Sequence, residues 1–109
     1  MKPKSEDVTT FSRDLAILLR SEIRLDTALD LLSEPEMSGV LAPSVSQLHA
    51  AVMSGESFAD ALSKDKNLFP PMYSALVRIG ETSGNLAGVM EAVSEQRTRI
   101  SEMRNKTMD

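Results

Sequence analysis

The sequence predicts an all-α protein built as a six-helix antiparallel bundle. Apolar residues recur at intervals of three and four along most of the chain, which is the spacing of one face of a helix. Glycine and proline interrupt this spacing and divide it into six segments. No alternating apolar and polar pattern of useful length indicates a strand. Because the connections between the segments are short, consecutive helices are expected to lie antiparallel.

The first helix is predicted to begin at Val8. The residues before it, 1–7, are polar and are expected to form a disordered N-terminal segment. The apolar stripe of the first helix comprises Val8, Phe11, Leu15, Leu18 and Leu19. A second, short helix spans residues 25–34 and stops at Pro35, which cannot continue it. The turn between the two helices, residues 21–24, contains no glycine, so a left-handed helix cap there would cost more free energy.

Glycine and serine mark the limits of the third and fourth helices. Gly39 opens the third segment, and Gly55 follows it in the position of a helix C-cap. Ser57 is expected to cap the fourth helix, with Asp60 three residues later in an arrangement that resembles a capping box. The apolar face of this short helix comprises Phe58, Ala61 and Leu62.

Two further helices complete the predicted bundle. A loop closed by Pro70 and Pro71 precedes the fifth helix, and Pro71 suits its first turn. The stretch of residues 80–85 contains two glycines and is expected to break this helix. The sixth and longest helix is predicted over residues 86–108.

The chain is long enough for one small domain, predicted over residues 8–109. A chain of 109 residues buries about 65% of the surface that its unfolded form exposes. Burial on that scale supports one modest core and leaves little room for a deep substrate cleft.

The composition excludes several classes of function. The chain has no cysteine, so disulfides, thiolate metal sites and cysteine nucleophiles are excluded. A formal net charge of −4 and an aromatic content of 4% make it a poor nucleic-acid binder, since phosphate neutralisation dominates that affinity. The sequence contains no apolar run of about 18 residues that could span a bilayer, and its polar N-terminus does not resemble a secretory signal.

Few side chains suggest chemistry. His49 is the single imidazole, has no neighbouring ligand in the sequence and is expected to be structural. The serine hydroxyls lack both a local base and a Gly-x-Ser-x-Gly elbow, so neither a catalytic residue nor a cofactor is predicted. Glu91 and Glu95 lie four residues apart and could form half of a carboxylate metal site, although a solvated acidic face is favoured.

The C-terminal segment carries a small excess of basic residues in an otherwise acidic chain. Only two carboxylates, those of Glu102 and Asp109, accompany them. The cations are Arg97, Arg99, Arg104 and Lys106. Lysine and arginine accumulate beside membrane spans on the cytoplasmic side. The pattern therefore allows two interpretations, a solvated helix face or a membrane-proximal flank.

Three stretches of the chain resemble the landmarks of one family. Residues 11–19 resemble the opening helix of the cytoplasmic domain of type II secretion and type IV pilus inner-membrane platform proteins. Residues 55–62, Gly-Glu-Ser-Phe-Ala-Asp-Ala-Leu, resemble the second landmark of this family. Phe69-Pro70 and then residues 80–86, Gly-Glu-Thr-Ser-Gly-Asn-Leu, resemble the third. The Lys-Pro-Lys start resembles the first of the two such domains that these proteins usually carry.

The resemblance implies a scaffold and not an enzyme. The domain would lie on the cytoplasmic face of the bacterial inner membrane, with its sixth helix leading toward a membrane span that is absent from this chain. Its partners would be the assembly ATPase, inner-membrane assembly proteins and, weakly, a second copy of itself. The resemblance also allows a divalent metal at an acidic interface through residues such as Glu91, with the ligands unknown.

The landmark residues also have a purely local explanation. Gly80 would end the fifth helix or let it pack closely, Glu81 would accept hydrogen bonds at the start of the sixth helix, and Gly84 would take a positive φ. The same side chains could instead contact a partner directly. The residues with one of these two roles are Gly55, Ser57, Phe69, Pro70, Gly80, Glu81, Ser83 and Gly84.

Two other functions stay open at this point. A helical enzyme or acidic metal-binding bundle could use Glu81, Glu91 and Glu95, and a soluble helical adaptor would have no membrane partner. An apolar run of about 20 residues soon after Asp109 would favour the platform over both.

Overall fold

A computed structural model describes the backbone of residues 1–107 and the side chains of residues 1–105. The described residues contain helices and turns and no strand, which confirms the predicted all-α class. Six helices form the bundle: α1 (Ser5–Arg20), α2 (Leu25–Leu32), α3 (Ala42–Met53), α4 (Phe58–Ser63), α5 (Pro71–Ser83) and α6 (Leu86–Thr107). A single α-helical turn, Pro35–Ser38, and a 3-10 turn, Gly39–Leu41, link α2 to α3.

The longest helices, α1 and α6, share the largest helix–helix interface. They run antiparallel, because Ser5 at the start of α1 contacts Arg97 in the second half of α6 while Arg20 at the end of α1 contacts Glu91. Helix α5 packs on α6 as the other arm of a hairpin and on α4 along another face, while α2 packs mainly on α3. The radius of gyration of 13.4 Å is that expected for about 100 residues in one compact unit.

One apolar core runs through all six helices. Its largest fully buried side chains are Phe58, Phe69, Leu15, Leu29, Leu32, Leu41, Leu62 and Met90. The Phe69 ring lies between two other rings and meets both in an edge-to-face arrangement. The distance between ring centres is 6.2 Å to Phe11 and 5.2 Å to Tyr73. These geometries are those that aromatic pairs prefer, so the loop before α5 is fixed to both α1 and α5.

Helix α1 begins earlier than the apolar spacing predicts. The Asp7 carboxylate accepts a hydrogen bond of 2.7 Å from the backbone N–H of Lys4, and Glu6 and Asp7 place negative charge in the first turn. Residues 5–7 are therefore part of the helix and do not belong to a disordered segment, which corrects the predicted boundary at Val8.

Helix α5 continues past its predicted break. The helix passes through Gly80 and ends at Ser83, so the break is confined to Gly84 and Asn85. Glycine within a helix costs roughly 0.5–1 kcal/mol relative to alanine, but here the missing side chain lets α5 approach α6 closely. A Cβ at Gly80 would lie 3.0 Å from the Val89 Cγ2 atom and 3.1 Å from the Leu86 Cα atom.

The turn between α1 and α2 adopts the left-handed conformation without a glycine. Glu22 has φ 66°, which makes it the one non-glycine residue with positive φ among residues 1–107. The backbone N–H of Ile23 donates to the Leu18 carbonyl at 3.1 Å, and that of Glu22 donates to the Leu19 carbonyl at 3.0 Å. The helix end is thus satisfied as in a glycine-capped helix, at the cost of steric strain at Glu22.

Candidate functional site

The Glu81 carboxylate holds the start of a helix that lies more than twenty residues earlier in the chain. Its Oε2 atom accepts a 2.8 Å hydrogen bond from the Phe58 backbone N–H, and its Oε1 atom accepts one of 2.9 Å from that of Ala59. The sequence predicted that Glu81 would accept hydrogen bonds at the start of α6, and this was wrong. Because α4 packs along α5, the unpaired N–H groups of its first turn lie within reach of Glu81.

A second contact fastens the same two helices. The Ser57 hydroxyl accepts a 3.0 Å hydrogen bond from the Asp60 backbone N–H and caps α4 as predicted. The Asp60 carboxylate in turn accepts a 2.7 Å hydrogen bond from Arg78 Nη2 on α5. This hydrogen bond lowers the pKa of Asp60. The landmark around Ser57 and the one around Glu81 are therefore parts of one assembly.

Two glycines form the turns that flank this assembly, one before α4 and one after α5. Gly55, directly after α3 and its C-cap residue Ser54, has φ 102°. Gly84, after α5, has φ 74°, so the positive φ predicted for Gly84 is confirmed. The Asn85 backbone N–H donates to the Gly80 carbonyl at 2.9 Å, and the Asn85 side chain caps α6 by accepting from the Gly88 backbone N–H at 3.3 Å. The Ser83 hydroxyl donates to the Gly80 carbonyl at 3.4 Å.

Phe69 and Pro70 belong to the core and to the start of α5. Phe69 is 1% exposed, and Pro70 occupies the N-cap position of α5 with extended backbone. Their place in the third landmark is thus explained by packing and by helix initiation.

Arg97 has an internal role that the charge pattern does not predict. Its Nε–H donates to the Thr9 hydroxyl at 3.0 Å, and its Nη2 donates to the Ser5 carbonyl and hydroxyl at 3.1 and 3.0 Å. Its guanidinium lies 5.9 Å from the centre of the Tyr73 ring, within the range of a cation–π interaction. Burial lowers the pKa of Arg97. This arginine therefore connects α6 to α1 and α5.

The other basic residues of α6 differ from Arg97. Arg99 and Arg104 are exposed on the far half of the helix. The side chain of Lys106 lies outside the part of the chain that the structure describes. The membrane-proximal role of these residues stays a prediction.

Tyr73 completes a buried polar link behind Arg97. Its hydroxyl lies 2.6 Å from the Ser12 hydroxyl, which itself donates to the Val8 carbonyl at 2.7 Å. Burial raises the pKa of Tyr73, so the phenol is neutral and can donate a hydrogen bond. The pair ties α5 to α1 inside the core.

The carboxylates considered for a metal site are separated by their partners. Glu81 is occupied by α4, and Glu91 forms an ion pair with Arg20 that lowers the pKa of Glu91. Within residues 1–105, no three histidine or carboxylate side chains come together in a way that could hold a metal ion. His49 is half-buried on α3. None of the described helices is both long and apolar enough to cross a membrane.

Sequence reasoning missed Arg78, Thr9 and Tyr73. A signal for Arg78 was present, because Arg78 and Glu81 are three residues apart on α5 and hence share a face. Once Glu81 is known to face α4, Arg78 must face it too. No comparable local signal exists for Thr9 and Tyr73, whose roles depend on which helices pack together.

These contacts define an all-α bundle in which the landmark residues join helices to one another. The chain belongs to the family described as type II secretion system (T2SS), protein F, whose model matches residues 11–109. The resemblance noted in the sequence is thereby confirmed.

Relatives from both pilus and secretion systems align with nearly the whole chain. The type IV pilus assembly protein PilC of Thermus thermophilus is 34% identical over 104 residues, which cover 95% of this chain and 25% of the relative. The type 4 fimbrial assembly protein PilC of Pseudomonas putida is 33% identical over 105 residues, covering 94% and 26%. The type II secretion system protein F of Pseudomonas aeruginosa is 26% identical over 102 residues, covering 94% and 25%. The chain thus spans about a quarter of the length of these relatives.

Proposed function

We propose that this domain is a non-catalytic scaffold of an inner-membrane platform in type II secretion or type IV pilus assembly. It lies on the cytoplasmic face of the membrane, docks the assembly ATPase together with inner-membrane assembly proteins, and transmits motion to the growing pilus or pseudopilus. The relatives described above, which are pilus-assembly and secretion proteins, support the assignment to such a system.

The observation that carries the proposal is the joining of α4, α5 and α6 into one unit. Glu81 binds the first turn of α4, Arg78 binds Asp60, and Gly80 allows close packing of α5 on α6. A protein domain that transmits motion from one partner to another has to be rigid. Polar contacts between helices that add to a packed core supply such rigidity.

An apolar stripe on the outer face of α5 is the docking surface that we assign to the ATPase. Met72 and Ile79 are 68% and 58% exposed, and the half-buried Leu76 lies between them. Their spacing of four and three residues places them on one face of the helix. Large apolar side chains gathered on one exposed face are typical of partner-binding surfaces.

Binding of the purified assembly ATPase to the domain tests this function. Ile79→Asp should weaken binding at least tenfold, because it replaces a large apolar contact of the stripe with a charge. Leu31→Asp is the control, since Leu31 is 43% exposed on a different helix. Circular dichroism of each variant checks that the bundle stays folded. No binding by the wild-type domain, or equal binding by both variants, would contradict the assignment.

Self-association and metal binding complete the proposal. We expect a weak homodimer, since several exposed methionines offer adaptable apolar contacts. Sedimentation velocity over a range of protein concentrations should show a concentration-dependent shift. The same runs with calcium and with a chelator test a divalent metal at an acidic interface that includes Glu91. A chain that stays monomeric at high concentration would contradict the dimer.

The alternatives have weaker support. An acidic metal-binding bundle would need Glu81, whose two carboxylate oxygens are already occupied by the first turn of α4. A soluble adaptor is distinguished by fractionation, because the platform protein should be recovered with inner membranes. We propose that α6 leads toward a membrane span, with Arg99, Arg104 and Lys106 near the headgroups.

A further inference from the structure

A groove at one end of the bundle brings together residues from both ends of the chain. The segment before α1, the loop before α5 and the second half of α6 line it, and its volume is about 550 Å³. Lys4 comes from the first of these, Pro70 from the second, and Arg97 and Arg104 from the third. The charge pattern of α6 alone does not predict that Lys4 joins its basic residues.

The described lining of this groove is both basic and apolar. It contains three cations, Lys4, Arg97 and Arg104, and one carboxylate, that of Glu6. Lys4 and Arg104 are exposed, whereas Arg97 is fixed by its hydrogen bonds to Ser5 and Thr9.

The apolar part of the lining reaches the surface. It consists of Pro3, Val8, Leu68, Pro70 and Ile100, and Ile100 is 45% exposed. Met103, on the next turn of α6, is 67% exposed. Cations next to exposed apolar side chains are typical of protein surfaces that lie at the membrane interface.

The charges at the two ends of α1 differ, and this difference would orient the bundle at a charged surface. The groove lies at the start of α1, and the 16 residues of α1 span about 24 Å. Directly beyond its other end, residues 22–26 contain two carboxylates and one arginine. An anionic surface would therefore attract the groove more strongly than this opposite end of α1.

We propose that this groove binds the headgroups of anionic phospholipids, so that the bundle itself rests on the membrane surface with this end toward the bilayer. The inference deepens the proposed function, on which it rests for the presence of a membrane. Lys4 and Arg104 attract the phosphates, and Ile100 enters the interfacial region. Arg97 keeps α6 against α1 and so holds the two sides of the groove together.

Vesicle co-sedimentation with the 109-residue chain tests the proposal. The chain should bind vesicles of phosphatidylglycerol and phosphatidylcholine and should not bind pure phosphatidylcholine. The double variant Lys4→Ala, Arg104→Ala should bind the anionic vesicles about thirtyfold more weakly, the equivalent of about 1 kcal/mol for each cation. The matched control is Arg24→Ala, Lys64→Ala, which removes the same charge from exposed sites outside the groove. Its binding should equal that of the wild type.

Each other outcome overturns the inference. Equal loss in both double variants would mean a general charge effect without a groove. Full competition by glycerol phosphate at the same phosphate concentration would mean a small-anion site, and tighter binding to soluble polyglutamate than to vesicles would mean an acidic protein partner. The assay needs neither the ATPase nor a pilus, so its failure would leave the scaffold function intact. Failure of ATPase binding would likewise leave the vesicle result standing.

Discussion

Replacing Glu81 with alanine removes both acceptors from the first turn of α4. The Phe58 and Ala59 N–H groups, now at 2.8 and 2.9 Å from carboxylate oxygens, would lose their partners in a partly buried position. A hydrogen bond to a charged group contributes about 1.5–3 kcal/mol when buried. Water can reach part of this site, so the lower end of that range is appropriate for each bond. We expect Glu81→Ala to lower the free energy of unfolding by about 2–3 kcal/mol.

Glu81→Gln separates hydrogen bonding from charge and shape. Glutamine keeps one acceptor oxygen and replaces the other with an NH₂ donor, which cannot pair with a backbone N–H. One of the two hydrogen bonds should survive as a neutral one. The free energy of unfolding of Glu81→Gln should therefore lie between that of the wild type and that of Glu81→Ala. Urea unfolding followed by circular dichroism gives the free energies, provided that the slope with denaturant stays constant.

Glu95→Ala is the matched control for both variants. Glu95 is an exposed carboxylate on α6, so its removal should change stability by less than about 0.5 kcal/mol. If Glu81→Ala unfolds at the same urea concentration as Glu95→Ala, the carboxylate does not support α4. The account of α4, α5 and α6 as one unit would then be refuted.

Four further outcomes are expected. Glu22→Gly should raise the free energy of unfolding by about 0.5–1 kcal/mol in urea titrations, because it relieves a positive φ at some cost in chain entropy; an unchanged midpoint would mean that the turn is unstrained. Gly84→Val should lower the free energy of unfolding by about 1–2 kcal/mol or more, because valine is strained at the positive φ of this position. An unchanged urea midpoint would show that the glycine is not required. The stability difference between wild type and Arg78→Ala should shrink as pH falls below about 4, the unfolded pKa of Asp60. It should vanish only at lower pH, once the folded Asp60, whose pKa is lowered, is protonated. A constant difference down to acid would exclude the ion pair as its source. Amides of residues 99–105 should exchange hydrogen faster than those of residues 89–93, and equal protection would mean that the far half of α6 is packed.

Features that are set by residues close together in the sequence could be predicted from the sequence alone. The positive φ of Gly84 and the capping of α4 by Ser57 each require only a few adjacent positions. Helix start and end signals of this kind are local, and both predictions are confirmed. The early start of α1 was missed because an apolar pattern does not register an N-terminal carboxylate such as Asp7.

The parts that depend on helix packing could not be predicted. Glu81 lies 22 and 23 residues from the groups that it binds, and Arg97 lies 88 and 92 residues from Thr9 and Ser5. A single sequence does not specify which helix starts face which side chains. Gly80 shows the same limit, because its intrinsic tendency to break a helix is offset by contact with Val89 on another helix.

The hydrogen bonds of Arg97 to α1 fix α6 at that residue, so the part of α6 beyond it can act as a lever arm. Ten residues of α6 follow Arg97 up to Thr107, which is an arm of about 15 Å, and residues 99–105 are exposed along it. A lateral force on the end of this arm would load the fulcrum first, and the hydrogen bonds to Ser5 and Thr9 would carry that load into α1. The stacked Tyr73 ring would carry part of it into α5. Torque would therefore enter the bundle around Arg97 and Thr98, whose hydroxyl accepts a 3.0 Å hydrogen bond from Arg13 of α1.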